Sequence, residues 1–286
     1  MTQPLDFHSF RHGQFDITVL SDGPITLGGE IFAPEGNPDE RAEIVVRLEG
    51  ADNTAAAQSN IPLIVTGNEM IIVDVGAGNR FQPSEGRLEA NLDAIGVKAH
   101  DVTTVIISHA HPDHMWGITR DDGTLRFANA RYYVGRTEWE FWMGEAADAL
   151  PEVLQPFVAG ARRELSAIAD RVKLVEDGDE IVPGLKVLAT PGHTPGHISL
   201  VLNGDVPLII TVDATASDIV SFEHPDWSFG FDMDPGRARE TRRVLLDRAV
   251  ADNAKLLGYH WTYPGVGRAT KNGETYQFHG AVRSAS

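Results

Sequence analysis

The sequence has 286 residues, of which 42% are hydrophobic, and it carries a formal net charge of −17. This composition supports a substantial core, whereas the acidity disfavours nucleic acids and anionic membranes, which bind clustered Lys and Arg. The absence of cysteine excludes disulfides, thiolate metal sites and cysteine nucleophiles. Residues 1–14 lack the pattern of a signal peptide, and no stretch approaches 18 apolar residues. We therefore expect a cytoplasmic protein without a membrane span.

Strands and helices are predicted along the whole chain from apolar periodicity and turn residues. Strands are predicted at 15–20, 61–66, 70–75, 105–107, 131–134, 172–175, 181–182, 185–190, 198–202, 208–212, 266–269 and 276–278. Helices are predicted at 38–50, 87–95, 136–144, 150–170 and 235–251, and in the last of these Val244, Leu245 and Ala249 are expected to face the core. We interpret residues 1–286 as a single domain of mixed sheets with helices outside. Residues 1–60 would form an N-terminal extension suited to dimerisation.

The stretch 105–117 concentrates the metal-binding side chains of the sequence. A β-branched run leads into four such residues within six positions: His109, His111, Asp113 and His114. Alternation at a strand end directs His109 and His111 to one side, and Pro112 then ends the strand. Neutral imidazoles and carboxylates suit a borderline divalent ion such as zinc. The spacing therefore predicts a metal site rather than a histidine-rich polar loop.

Three further candidate ligands stand alone at predicted strand ends: His193, Asp213 and His260. Taken singly, such residues are more often structural, bonded to backbone or side chains, than ligands. Together with His-x-His-x-Asp-His, however, their order resembles the metallo-β-lactamase superfamily from about residue 61 to 265. The resemblance implies an α+β fold, a four-layer αβ/βα sandwich with two metals in a cleft at the sheet edges.

The resemblance also implies a role for each ligand. The first metal would be held by His109, His111 and His193. The second would be held by Asp113, His114 and His260, with Asp213 bridging the two ions. Zinc is favoured, although Mn, Co or Fe suit the same donors. The resemblance implies attack on the substrate by a metal-bridging hydroxide, with Asp113 and Asp213 as the catalytic carboxylates.

Other residues are expected to support these ligands or to meet the substrate. Asp74 would orient a metal-binding histidine, with a plain strand-end cap as the alternative, and His197 would bond backbone or a carboxylate. The substrate pocket is expected to include Phe81, Trp116, Trp139, Trp142 and Ala216. Any one of the aromatic residues could instead belong to the core or to a dimer interface. Aromatic residues around a metal site favour a bulky, neutral, apolar substrate.

Shorter motifs are similar to the methyl parathion hydrolase-like branch, which includes phosphotriesterases, aryl esterases and lactonases. They lie at 21–23, 73–78, 222–225 and 263–267. Quorum-quenching lactonases of this family carry a tyrosine three residues after the bridging aspartate, where this sequence has Ala216. The departure puts specialisation for acyl-homoserine lactones in doubt. Without the tyrosine, departure of the leaving oxygen would depend on coordination by a metal or on Asp113 as a proton carrier.

The leading hypothesis is a dinuclear metal hydrolase of lactones or aryl esters, with promiscuous phosphotriesterase activity. A dedicated organophosphate phosphotriesterase is the main alternative, and an iron-dependent sulfur dioxygenase is a weaker one. A binding module without catalysis is disfavoured because no ligand of the set is missing. The expected partners are a small neutral ester, lactone or phosphotriester and a second copy of the chain, with no nucleic acid and no membrane.

Overall fold

The computed structural model describes residues 7–281. Residues 1–6, which begin the segment expected to lack a signal peptide, and residues 282–286 lie outside this part. The helices are α1 Gly29–Phe32, α2 Pro38–Arg47, α3 Leu88–Ala94, α4 Pro112–Met115, α5 Arg136–Met143, α6 Gln155–Ala167, α7 Val220–Glu223 and α8 Pro235–Ala251. The strands are β1 His8–His12, β2 Phe15–Ser21, β3 Ile25–Gly28, β4 Thr54–Ala57, β5 Asn60–Thr66, β6 Glu69–Val73, β7 Thr104–Ile107, β8 Arg131–Gly135, β9 Val172–Val175, β10 Glu180–Val182, β11 Leu185–Ala189, β12 Ile198–Leu202, β13 Leu208–Ile210, β14 Lys255–Leu257, β15 Val266–Asn272 and β16 Thr275–Gly280.

The chain folds into two compact units. The first comprises Met1–Pro24 and Ile61–Glu176, and the second comprises Ile25–Asn60 and Asp177–Ser286. The expected N-terminal extension is therefore divided, with residues up to 24 in the first unit and residues 25–60 in the second. Among residues 7–281, no helix has the length and apolar character needed to cross a membrane.

The first unit is built on a seven-stranded sheet in the order β1-β2-β5-β6-β7-β8-β9. Strands β6, β7, β8 and β9 run parallel, and all four residues of β7 are buried, as is usual for a parallel strand covered on both faces. Because Val73 pairs with Ile106, the residues that follow β6 and β7 emerge side by side at one edge of this sheet. That edge carries Asp74 and the segment that begins at Ser108.

The second unit contains a seven-stranded sheet in the order β10-β11-β12-β13-β14-β15-β16 and a small sheet of β3 and β4. Strands β13 and β14 are parallel, and Ile210 pairs with Leu257. Asp213 and His260 each stand three residues beyond that pair, so equal extension from neighbouring strand ends brings them together. Helix α8 packs its buried face beside Leu256 and Trp261 in the core of this unit.

Two sequence predictions of helical structure are wrong in detail. The helix predicted at 150–170 begins only at Gln155, after a short 3-10 turn at Glu152–Leu154, because Pro156 has no backbone N–H and is therefore accommodated in the first turn of a helix rather than in its interior. Val244 is 70% exposed rather than buried, whereas Leu245 and Ala249 are buried as predicted. The buried stripe instead includes Arg242, so this face of α8 carries a charge.

Strands β1, β3 and β4 were missed in the sequence. Strand β1 pairs with β2 in antiparallel register, and β3 pairs with β4. The sequence of β1, His-Ser-Phe-Arg-His, lacks an apolar alternation, and of its five residues only His12 is buried. Strand β4 is a short alanine-rich segment, and alanine has a low preference for strands.

Candidate metal centre

The first unit gathers four candidate ligands immediately after β7. His109 and His111 follow the strand, with His111 in extended backbone, and Asp113 and His114 lie in the short helix α4, where Pro112 takes a first-turn position. All four side chains are buried. Ligand atoms of His109 lie within 4.8 Å of those of His111 and His114, and His114 Nε2 is 3.4 Å from Asp113 Oδ2.

Asp74 orients two of these histidines. Its Oδ2 accepts hydrogen bonds from Ser108 Oγ at 2.7 Å and from His114 Nδ1 at 2.8 Å, and its Oδ1 accepts from the Ser108 amide. Since the serine hydroxyl donates to Asp74, its oxygen accepts from His109 Nδ1 at 3.0 Å. In both histidines the proton is thereby fixed on Nδ1, which leaves the lone pair on Nε2, the form that binds a metal.

The second unit gathers His193, Asp213 and His260 in the same manner. Asp213 Oδ2 lies 3.2 Å from His193 Nε2 and 3.3 Å from His260 Nε2. His193 Nδ1 donates to Asp232 at 2.9 Å, and His260 Nδ1 donates to the carbonyl of Gln58 at 2.8 Å. These bonds again place the proton on Nδ1 and the lone pair on Nε2.

The donor set fits a divalent metal ion. The Nε2 atoms of His193 and His260 converge on one carboxylate oxygen of Asp213 in the second unit, and a divalent cation beside them would bind the lone pairs of all three atoms. Donors bonded to one tetrahedral zinc ion at about 2.0–2.1 Å stand roughly 3.3 Å apart. The separations of 3.2 and 3.3 Å around Asp213 match this value, as does the 3.4 Å between Asp113 and His114.

His197 lies near His193 and Asp213, and both of its ring nitrogens take part in hydrogen bonds within the protein. Its Nε2 accepts a hydrogen bond from the Asp213 amide at 3.2 Å, so its Nδ1 carries the proton and donates to Thr190 Oγ1 at 2.8 Å. Val212, just before Asp213, has a φ of 47°, a left-handed conformation that is unusual for a β-branched residue. His197 thus contacts the backbone of Asp213 where the chain turns sharply after β13.

A buried carboxylate organises the loop between β6 and α3. Asp22 accepts backbone hydrogen bonds from Ala77, Gly86 and Leu88 at 3.0, 3.1 and 2.9 Å. Burial raises the pKa of Asp22 to about 6, although these three donors pull it down. The aspartate of the Ser-Asp-Gly motif at 21–23 therefore fixes the loop that begins at Asp74 and contains Phe81.

Aromatic rings pack beside His111 in the first unit. Phe157 lies 6.1 Å from His111, 6.0 Å from Phe81 and 6.2 Å from Trp116 between ring centroids. Trp116 also rests on Gly160 of α6, where a Cβ would fall 2.3 Å from the indole. We refer to Phe81, Trp116 and Phe157 as the aromatic cluster.

The other residues predicted for the pocket have different surroundings. Trp142 is buried 6.2 Å from His111, and its Nε1 donates to Glu138 at 2.7 Å. Trp139 is partly buried on the same helix. Ala216 is buried directly after the 3-10 turn Val212–Thr215 that contains Asp213.

Several supporting residues had not been identified from sequence. Ser108, Phe157 and Glu138 were missed in the first unit, and Asp232 and Arg242 in the second. Arg242 did have a signal, because it shares helical spacing with Ala238, Leu245 and Ala249, and a charge on an apolar stripe needs a buried partner. Asp232 lies in an irregular loop whose pattern gives no such signal.

Comparisons with known proteins agree on one family. A model of the metallo-β-lactamase superfamily matches residues 55–260. An N-acyl homoserine lactonase of Bacillus sp. is 28% identical over 192 residues, which cover 65% of this chain and 69% of that protein. The N-acyl homoserine lactonase AttM of Agrobacterium fabrum is 31% identical over 135 residues, or 43% of this chain and 45% of that protein.

Solved structures give the same result over nearly the whole chain. AidC, a dizinc quorum-quenching lactonase in complex with a product, has a TM-score of 0.90 and 28% identity, with 98% of each chain covered. AbOPH, a hydrolase of the β-lactamase superfamily, has a TM-score of 0.91 and 27% identity, with 99% of this chain and 100% of that chain covered. The matched family model spans well over half of the sequence and all seven candidate ligands. The chain therefore belongs to the metallo-β-lactamase superfamily, in its lactonase branch, and is a metal-dependent hydrolase with the α+β fold of that family.

Proposed function

We propose that the protein is a dinuclear hydrolase that opens lactones bearing an apolar acyl group and also cleaves aryl esters. His109, His111 and His193 would hold the first metal, Asp113, His114 and His260 the second, and Asp213 would bridge them. The observation that carries the proposal is the set of fixed Nδ1 protons on His109, His114, His193 and His260, because each presents an Nε2 lone pair to a divalent ion. Zinc is proposed as the metal, in line with the dizinc relative AidC.

The proposed chemistry divides the work between metals and protein. Divalent ions held by these residues would supply activation of a water nucleophile and polarisation of the substrate carbonyl. The carboxylate of Asp213 offsets part of the repulsion between the two positive charges. An oxygen of Asp113 would carry the proton to the leaving oxygen, since Ala216 stands where related lactonases have a tyrosine.

The aromatic cluster supports an apolar substrate. Phe157 lies next to the proposed ligand His111, and Phe81 and Trp116 pack on Phe157, so the cluster can hold an acyl or aryl group beside the reacting carbonyl while excluding water. The names of the relatives make N-acyl homoserine lactones the first compounds to test. Trp139, Trp142 and Ala216 remain proposed pocket residues.

The test combines metal content with a substrate panel. The ligand variants His109→Ala and Asp213→Ala should lose bound metal. Their turnover of N-hexanoyl homoserine lactone and of a p-nitrophenyl ester should fall by at least about 100-fold, which is more than the loss expected when a residue that only supports a ligand is removed. His279→Ala, an exposed histidine bonded to Thr270, serves as the control and should behave as wild type. Full retention of metal and turnover in both ligand variants would disprove the proposal.

A dedicated phosphotriesterase is the second candidate. It is favoured by Ala216, because a site without the lactonase tyrosine lacks one feature specific to lactones while its donors suit a phosphoryl group equally well. Comparing kcat/KM on a paraoxon-type triester with kcat/KM on lactones separates the two. A triester preference would replace the lactone proposal while leaving the metal centre unchanged.

A further inference from the structure

Helix α8 carries an arginine on its buried face. Arg242 is 1% exposed and lies among the buried positions Ala238, Leu245, Leu246 and Ala249. A buried guanidinium is costly unless its N–H groups meet acceptors and its charge meets a carboxylate. The contacts of this side chain therefore indicate its structural role.

Arg242 binds four acceptors within the second unit. Its Nε donates to the Ala214 carbonyl at 3.2 Å, and its Nη2 donates to Asp232 Oδ2 at 3.3 Å. Its Nη1 donates to the carbonyls of Pro225, at 3.2 Å, and Trp227. Ala214 follows the proposed bridging ligand Asp213, and the other three acceptors belong to the segment 225–232.

Asp232 connects this arginine to a proposed ligand. Its side chain is fully buried, and its Oδ1 accepts from His193 Nδ1 at 2.9 Å while Oδ2 accepts from the Phe229 amide and Arg242. The backbone adds two bonds, because Met233 N donates to the His193 carbonyl and Asp234 N to the Gly192 carbonyl. Gly192 lies so close to α8 that a Cβ there would fall 2.3 Å from Ala238 N.

We propose that Arg242 is a positioning residue that orients two metal ligands, His193 through Asp232 and Asp213 through the Ala214 carbonyl. The inference rests on the proposed function. The guanidinium and the Phe229 amide hold Oδ2 of Asp232 in place, Oδ1 of Asp232 accepts the Nδ1 proton of His193, and the Nε2 lone pair is thereby directed to the metal. The bond to Ala214 holds the turn that presents Asp213.

The chain offers a matched control on the same helix and the same segment. Arg243, next to Arg242, pairs with Asp226 on the surface, where the two side chains are 28% and 66% exposed. Asp232→Asn keeps the size of the side chain and an oxygen for His193, and Arg242→Lys keeps the charge without the fork of donors. Asp226→Asn and Arg243→Lys make the same changes where no proposed ligand is involved.

The experiment measures zinc affinity by competition with a chromophoric chelator, metal content after dialysis, and the visible spectrum of the cobalt-substituted protein. For Asp232→Asn and Arg242→Lys we expect about 10- to 100-fold weaker binding of zinc, with an altered cobalt spectrum. The two control variants should match wild type. The melting temperature of each metal-free variant is recorded, since a residue needed only for folding would lower it without changing affinity or spectrum.

Wild-type zinc affinity and cobalt spectrum in Asp232→Asn would overturn the inference, even if Arg242→Lys failed to fold. A wild-type protein that binds no metal would instead overturn the proposed function, so the two failures are distinguishable.

Discussion

Single hydrogen bonds decide the metal-binding form of the histidines in this protein. Four of the seven proposed ligands donate Nδ1–H to a serine oxygen, a carboxylate or a backbone carbonyl. A histidine whose Nδ1 proton is fixed cannot turn its ring or shift its tautomer without losing that bond. The partners of the ligands are therefore as much part of the centre as the ligands themselves.

Replacing Asp74 by Asn tests this point in the first unit. Asn tolerates the left-handed backbone at this position, where φ is 60°, but it removes the charge that holds Ser108 and His114. We expect the affinity for zinc to fall about 10- to 100-fold, as measured by chelator competition on the folded protein. Asp93→Asn, which breaks only an exposed pair with Lys98, should leave the affinity unchanged. Unchanged affinity in Asp74→Asn would show that the carboxylate is a strand-end cap alone.

At the scale of elements, parallel strand ends bring the ligand segments together. Strands β6 and β7 present Asp74 beside Ser108, and strands β13 and β14 present Asp213 beside His260. Antiparallel neighbours would send the following residues to opposite edges of the sheet. One register pair in each sheet therefore sets which side chains can meet.

The pH dependence of stability tests the loop that Asp22 holds. Its pKa is about 6 in the folded protein and 3.8 ordinarily, so between these values the folded state keeps a proton that the unfolded state has lost. The stability from neutral Asp22 is thus full below about pH 4 and is lost as the pH rises through 6, a change of about 3 kcal/mol. We therefore expect the free energy of unfolding of the metal-free wild type, measured by urea denaturation, to fall by this amount relative to that of Asp22→Asn as the pH rises from about 4 to above 6. A difference between the two proteins that does not vary with pH would contradict the prediction.

The corrected face of α8 gives a prediction with its own internal control. Leu245 is 2% exposed and Val244 is 70% exposed, although the two are neighbours in sequence. Leu245→Ala should lower the free energy of unfolding by about 2–5 kcal/mol, and Val244→Ala should change it by no more than about 0.5 kcal/mol. Urea denaturation measures both. Equal effects of the two substitutions would mean that the helix presents a different face.

The sequence predicted most elements of the fold but not the features that depend on tertiary contacts. The start of α8 at Pro235 was predicted because the proline and the Asp234 cap are local signals. Strand β1 and the exposure of Val244 were not, because a half-buried strand lacks alternation and one turn of apolar residues does not show which of them meets the core. The candidate ligands were accessible to sequence reasoning because their order follows a family pattern, whereas Asp232 was not, since only the folded loop places it against His193.

At the scale of the whole molecule, the assembly of the chain remains a prediction. A homodimer was expected from the family resemblance. Sedimentation equilibrium should then give about twice the chain mass of 31.1 kDa. A single-chain mass at all concentrations would rule the dimer out without affecting the metal centre.

We propose that hydrolysis depends on a pair of divalent metal ions, which the seven candidate ligands would hold. The most direct test removes metal with a chelator and restores zinc in steps while lactone turnover and bound zinc are measured on the same samples. We predict that the metal-free protein is inactive and that turnover reaches its maximum at about two zinc ions per chain. Native turnover by the metal-free protein would contradict the account.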